Sequence, residues 1–293
     1  MKVHKTTKRN GKLLTQFVQK IYTRYKILAE VYTEQVINNV NDNRLDFILD
    51  FINNWTREVM DIANDYDIIR NIVNLNNDIS VHKNGKYTIA IEIFDNIPSV
   101  LDCKEFGSIL SIYQDNSIIA AGILRYSYIV QLVFTINGST QLYNFSKDRF
   151  IVTPDIATPT LGDTYFITDG KNISYNDYGT YQFVDKLKTS HTLAFSKSIV
   201  SNLFHILVNG GVFLSAAEDS GNTDIKLLFH AVPLAYIAEN CGLICYSGNV
   251  RTLETDYPTG KRGLKLTTRL IIGSVEEMDK YTDIINPSLV FFD

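Results

Sequence analysis

The sequence predicts a layered α+β protein with two β-sheets. Two amphipathic helical segments open the chain, a block of strand-like runs follows them, and the last third alternates between helix and strand. The chain has 293 residues, enough to bury one large core or two moderate ones. Its 45% hydrophobic and 12% aromatic content is typical of a globular protein and excludes a disordered one.

The N-terminal part has helical spacing. Apolar residues recur every three or four positions and predict amphipathic helices over residues 13–39 and 44–63. Residues 1–12 are rich in Lys and Arg and lack the apolar segment of a secretory signal, so we expect a disordered basic tail there.

From residue 87 the apolar period changes to that of strands. The successive runs are YTIAIEIF, GSILSIY, SIIAAGIL and SYIVQLVFTI, with polar or Gly-containing turns between them. They predict a block of strands over residues 87–136. Residues 141–185 favour further short strands and loops.

The last third predicts alternating elements. A helix over 196–208 stops at a Gly-Gly pair typical of a helix C-terminus, and IKLLF at 225–229 favours a strand. A second helix is predicted over 233–241. The strand LIIGS then leads to Ser274 and Glu277, which have the spacing of a capping box.

Charge and composition narrow the function. The formal net charge of −4 provides no basic field for nucleic acid, and no apolar segment is long and uncharged enough to span a membrane. The three cysteines show no metal-ligand spacing, and we expect reduced thiols. These features indicate a soluble intracellular protein, by default cytoplasmic, although the basic N-terminus leaves a plastid open.

Several motifs resemble one enzyme family. LLFHAVPLAYIAENCG at 227–242, followed by LIIGSVEEM, resembles the C-terminal part of the fructose-1,6-bisphosphatase family, with its Y-E-x-x-P-x-A-Y/F and late I-x-G-S segments. Residues 87–113 resemble, without a gap, that family's D-P-x-D-G-S-S-N and V-G-T-I-F-x-I-Y. The resemblance implies a layered αβαβα sandwich of the sugar-phosphatase type. We expect an N-terminal half over 13–170 and a C-terminal half over 171–293.

The resemblance also implies a chemistry. In the family, carboxylates hold two or three divalent cations that direct a water onto the 1-phosphate of a sugar bisphosphate, and Mg²⁺ prefers such hard oxygen ligands. Glu92 and Asp95 occupy two of the acidic positions, and Asp46 or Asp50 on the second helix is a candidate third ligand. The family's C-terminal metal-binding glutamate falls on His230, whose neutral imidazole cannot replace a carboxylate for Mg²⁺.

The positions that should contact the substrate have also changed. The family's Gly-Ser-Ser falls on residues 96–98, where Pro98 has no N–H to donate. Its phosphate-binding Arg-Tyr falls on Ala194 and Phe195. Its Lys-x-Arg falls on Asp224-Ile225-Lys226, which keeps one cation and adds an anion.

One regulatory motif is partly kept. Lys86 and Tyr87 match the family's G-K-Y, whose Lys and Tyr help to bind the inhibitor AMP in animal members. The arginine that accompanies them there falls on Gln114. These two residues are a candidate remnant of a nucleotide pocket, or else a surface turn and a strand start.

The leading interpretation is a fructose-1,6-bisphosphatase-like pseudoenzyme in carbohydrate metabolism, with a regulatory, binding or oligomer-partner role and no cofactor. Its partners would be further copies in a homo-oligomer or a catalytic paralogue in a hetero-oligomer, and its ligand a sugar phosphate or AMP. The alternative is an active hydrolase of fructose-1,6- or sedoheptulose-1,7-bisphosphate that uses Mg²⁺ or Mn²⁺. A third reading is a nucleotide sensor. Three acids within about 4 Å of one point would favour the hydrolase. In the purely structural interpretation, Glu92 and Asp95 are a solvated strand end, and His230 is a packed histidine.

Overall fold

The computed structural model describes residues 12–24, 27, 44–75, 78–102, 104–146, 149–153, 156–168, 178–215, 225–259 and 262–286. Most of the predicted basic tail, and the predicted first helix beyond residue 27, lie outside these ranges.

The described helices agree with most of the predicted ones. A π-helical turn, Leu227–Ala231, runs directly into α6. The α-helices are α1 (residues 12–24), α2 (Arg44–Asn64), α3 (Ile97–Leu101), α4 (Tyr178–Leu187), α5 (Ile199–Asn209), α6 (Val232–Asn240) and α7 (Val275–Ile285).

The strands form two sheets. The first sheet has eight strands in the order β2-β1-β3-β4-β5-β6-β7-β8, and the second has six in the order β10-β9-β11-β14-β12-β13. The first contains β1 (Ile69–Val73), β2 (Asp78–Ser80), β3 (Tyr87–Glu92), β4 (Phe106–Gln114), β5 (Ser117–Tyr126), β6 (Gln131–Ile136), β7 (Ser139–Ser146) and β8 (Arg149–Val152). The second contains β9 (Thr164–Thr168), β10 (Thr192–Ala194), β11 (Val212–Ser215), β12 (Ile244–Ser247), β13 (Val250–Arg251) and β14 (Leu270–Gly273).

Three apolar cores separate five layers. One core lies between α1, α2 and the first sheet, with Trp55 and Phe17 fully buried in it. The second joins both sheets through α5 and α6, and the third lies between the second sheet and α4 with α7. The order of layers is therefore α, β, α, β, α, which confirms the predicted α+β sandwich.

The middle layer ties the two halves together. Although α5 and α6 follow the first sheet by many residues, α5 packs on β4 and α6 packs on β5 and β6. The two sheets divide between Val152 and Thr164. The boundary between residues 170 and 171 stays a prediction.

Two local predictions were wrong. Residues 225–229 form no strand: Lys226 makes an isolated bridge to Thr267, and the π-turn begins at Leu227. The capping box at α7 is also absent, because the Ser274 hydroxyl accepts a hydrogen bond from the Gly211 N–H at 3.0 Å instead of capping its own helix.

The start and end of α5 follow from identifiable residues. Ser198 caps the first turn, its hydroxyl accepting from the Ser201 N–H at 3.1 Å. The helix ends at Gly210, whose φ of 75° lies in the left-handed region that favours glycine. Among the described residues, no helix is long and apolar enough to cross a membrane.

Candidate functional site

A buried hydrogen bond joins the first sheet to the middle layer. Glu92 is the last residue of β3, and His230 lies in the π-turn ahead of α6. The His230 Nε2 contacts the Glu92 Oε2, and each residue is only 7% exposed. The acid that resembles a metal ligand and the histidine in a metal-ligand position are therefore bonded to each other.

The other ring nitrogen of His230 is also engaged. The Lys226 N–H donates to His230 Nδ1 at 3.1 Å, so the Nδ1 lone pair is used and this nitrogen carries no proton. The proton therefore lies on Nε2, which donates to Glu92. The π-turn sets this arrangement: the Lys226 carbonyl accepts from both the His230 N–H at 2.9 Å and the Ala231 N–H at 3.1 Å.

Asp95 connects the same loop to the other helix of the middle layer. Its Oδ1 accepts from the Gly107 N–H at 2.8 Å. Its Oδ2 accepts from the Ser198 hydroxyl at 2.6 Å and from the Val200 N–H at 2.9 Å. The carboxylate thus caps the first turn of α5, where the positive end of the helix dipole favours an anion.

Burial dominates the electrostatics of this carboxyl group. Removal from water raises the pKa of Asp95 to about 6, although the hydrogen bonds from Ser198, Val200 and Gly107 oppose the rise. The nearby charge of Glu92 adds a small further increase in the Asp95 pKa. The two acids are therefore close enough to repel each other, yet each has its own protein partners.

The loop after these acids is built for packing. Asn96 caps the short helix α3, its side-chain oxygen accepting from the Ser99 N–H at 2.8 Å, and Pro98 occupies the first turn. Gly107 faces α5 so closely that a Cβ there would meet the Val200 side chain at 2.3 Å. Loop and helix are in direct contact.

The side chains at the remaining predicted positions do not contact the Glu92–His230 pair in the described part of the chain. Ala194 ends β10 and is half-buried, whereas Phe195 is 74% exposed. Lys226 contributes its backbone N–H to His230. The side chain of Asp46, and Asp224 as a whole, lie outside the described part of the chain.

The nucleotide-pocket candidates lie at the start of β3. The side chain of Lys86 is exposed, and its N–H donates to the Ile68 carbonyl at 2.8 Å. Tyr87 is buried in the core under α1 and α2, and burial raises the pKa of its phenol. Gln114 pairs with Tyr87 across β3 and β4 and is exposed. Their role in nucleotide binding stays a prediction.

An open groove lies elsewhere, between α1 and the end of α2. It has a volume of about 960 Å³ and is lined mostly by polar side chains. Two of its cations are paired with acids: Lys20 lies 3.3 Å from Asp65, and Arg24 lies 3.5 Å from Glu58. Neither Glu92 nor His230 lines this groove.

Comparison with known proteins shows what the chain is similar to. Residues 158–286 match the family model described as fructose-1-6-bisphosphatase, C-terminal domain. The fructose-1,6-bisphosphatase class 1 of Persephonella marina is 27% identical over 233 residues, covering 72% of this chain and 71% of that protein. The chain is therefore similar in sequence to fructose-1,6-bisphosphatases.

Two further fructose-1,6-bisphosphatases match different shares of this chain. The cytosolic fructose-1,6-bisphosphatase of Arabidopsis thaliana is 28% identical over 200 residues, covering 59% of this chain and 58% of that protein. The holo structure of Leishmania major fructose-1,6-bisphosphatase is 19% identical, covers 94% of this chain and 93% of its own, and has a TM-score of 0.78. That structure shows the same fold.

As they are arranged, Glu92 and His230 do not fit Mg²⁺. A histidine ligand must offer a lone pair to the metal, but one His230 nitrogen accepts from Lys226 and the other carries the proton given to Glu92. Within the described ranges, no group of three or more His, Cys, Asp or Glu side chains could hold a metal ion. Asp78, the acid preceding the G-K-Y motif, accepts from the Asn71 amide at 3.0 Å instead.

Sequence reasoning missed the groups that complete the site. Ser198, Gly107 and the Val200 N–H hold Asp95, and the Lys226 N–H orients His230. A serine ahead of an apolar helical segment is a recognisable N-cap signal, so Ser198 could have been found as a cap. Its pairing with Asp95 could not, because 103 residues separate the two.

Proposed function

We propose that this chain is a fructose-1,6-bisphosphatase-like protein that does not hydrolyse sugar bisphosphates and acts as a binding or assembly partner in the cytoplasm. The observation that carries the proposal is the buried contact between Glu92 and His230. Hydrolysis of phosphate monoesters is among the slowest uncatalysed reactions, with enzymatic accelerations of up to ~10²¹, so a site without its cations should be nearly silent.

The second acid supports the same proposal. Asp95 already receives three hydrogen bonds from Gly107, Ser198 and Val200. A cation or substrate hydroxyl at Asp95 would have to displace donors that also hold the start of α5. Both acids therefore serve the packing of the middle layer in this proposal.

One experiment tests both this proposal and its alternative, an active hydrolase of fructose-1,6- or sedoheptulose-1,7-bisphosphate. Phosphate release from fructose 1,6-bisphosphate is measured with purified protein and Mg²⁺, then Mn²⁺. We expect the wild-type rate to equal that of the Glu92→Gln variant. Turnover that disappears in Glu92→Gln would overturn the proposal, because it would require Glu92 to act as a cation ligand.

We propose that the partner is a second copy of this chain, bound at β10. In the described part of the second sheet, β10 is an edge strand that pairs only with β9. It exposes 58% of Leu193, and the residue after it, Phe195, is 74% exposed. An apolar strand edge can pair with the same edge of another copy about a two-fold axis. A catalytic paralogue at β10 would leave the isolated chain monomeric.

A further inference from the structure

We propose that the Glu92–His230 pair replaces a divalent cation as the structural link between β3 and the start of α6. The side chain at residue 230 alone determines whether this junction needs a cation. The inference rests on the proposed function in one respect, that the family's cation position has been lost. It adds a claim about stability: the junction stays closed without metal, and a glutamate at residue 230 would make the junction depend on a cation.

The chemistry of the junction supports the replacement. With a glutamate at residue 230, two carboxylates would face each other in a nearly dry site, and they would need a cation between them. With histidine, a carboxylate meets an N–H donor, so the two side chains attract each other directly. Glu92 and His230 are each 7% exposed, so water cannot supply this link.

The surrounding contacts hold the histidine in the orientation that this role requires. The Lys226 N–H binds Nδ1, so Nε2 carries the proton and points at Glu92. Nearby, the hydroxyl of Tyr113 on β4 donates to the Leu228 carbonyl at 2.8 Å, a second bond from the first sheet to the π-turn. Hydrogen bonds between protein groups therefore link the first sheet to the π-turn at this junction.

The test is thermal unfolding of the full chain as wild type, His230→Glu and His230→Gln, with and without about 10 mM Mg²⁺ or Mn²⁺. His230→Gln is the matched control because its amide cannot recruit a cation. We expect the Tm of the wild type and of His230→Gln to be unaffected by cations. His230→Glu should unfold at a lower temperature without cations and recover by about 3–6 °C with them.

Each other outcome overturns the inference. A wild-type Tm that rises with cations as much as that of His230→Glu would mean that the present site already binds metal. A folded His230→Glu whose Tm ignores cations would mean that residue 230 does not decide cation binding. The double variant Glu92→Gln/His230→Glu covers the case in which His230→Glu requires cations to fold at all. It removes the repulsion between the carboxylates at residues 92 and 230, so it should fold without cations. If the double variant also fails to fold, the inference is overturned.

Phosphate release on the same samples separates this inference from the proposed function. Hydrolysis by a wild-type protein whose Tm ignores cations would defeat the proposed function and leave the structural replacement standing. A cation-dependent wild-type Tm without hydrolysis would defeat the replacement and leave the proposed function standing.

Discussion

Glu92 and His230 lie 138 residues apart in the chain and form a buried hydrogen bond between the end of β3 and the turn that starts α6. Three residues after Glu92, Asp95 binds the start of α5. One loop of the first sheet therefore holds the N-terminal ends of both helices of the middle layer. In this account, both acids are part of the packing of the middle layer.

The Glu92–His230 hydrogen bond makes a first prediction about substitutions at Glu92. Glu92→Gln keeps an oxygen that accepts from His230, and we expect it to lower the free energy of unfolding by about 1 kcal/mol. Glu92→Ala leaves the buried N–H unpaired and should cost about 3 kcal/mol. Urea denaturation measures both, with the exposed Glu254→Gln as the control. Equal losses for the two Glu92 variants would contradict the pairing.

The second prediction concerns Asp95. In Asp95→Asn, the new amide must face the N–H of either Gly107 or Val200, which places two donors against each other. We expect the free energy of unfolding to fall by about 2–3 kcal/mol near pH 7.5. The exposed Asp102→Asn, in the same loop, should change it by less than about 0.5 kcal/mol. A loss as small as that of the control would show that Asp95 does not hold α5.

The pKa of Asp95 predicts a pH dependence. A folded-state pKa of about 6, above the ordinary value of 3.8, means that the native state binds more protons between these values. The stabilisation is therefore present at acid pH and lost as the pH rises through 6. The difference in unfolding free energy between wild type and Asp95→Asn should be larger at pH 4.5 than at pH 7.5, by about 2 kcal/mol. A constant difference would contradict the raised pKa.

The edge strand β10 predicts self-association. Phe195→Ser and Leu193→Ser remove exposed apolar surface, so they should shift the wild-type oligomer towards monomer. Light scattering after gel filtration measures this shift. Val250→Ser is the matched control, because Val250 is 48% exposed on β13, the opposite edge of the same sheet. A wild type that is monomeric, or an oligomer indifferent to Phe195, would exclude this surface.

Local patterns in the sequence predict much of the fold. The helix over 44–63 appears as Arg44–Asn64, and the helix over 196–208 begins slightly later, at Ile199, because Ser198 is its cap. The strand predicted over 225–229 is absent because tertiary packing overrides the local pattern. Alternating apolar residues there resemble a strand, but Leu227 and Phe229 are buried within a π-turn whose shape lets His230 reach Glu92.

The candidate site is predictable only in part. The resemblance identifies Glu92, Asp95 and His230 as the residues to examine, and it indicates that His230 departs from the family's ligand chemistry. It does not indicate that two of them bind each other, because that contact depends on the packing of α6 against the first sheet. The α4 helix was missed for a similar reason: residues 178–187 pack against α7, which is far away in sequence.

The most direct test of the account counts Mn²⁺ bound to the wild-type chain by electron paramagnetic resonance, with Glu92→Gln as the reference. The account predicts that Glu92 holds no cation, so the two proteins should bind equal amounts of Mn²⁺, near zero at about 1 mM free cation. Stoichiometric Mn²⁺ on the wild type that is lost in Glu92→Gln would contradict it, because Glu92 would then be a metal ligand rather than the partner of His230.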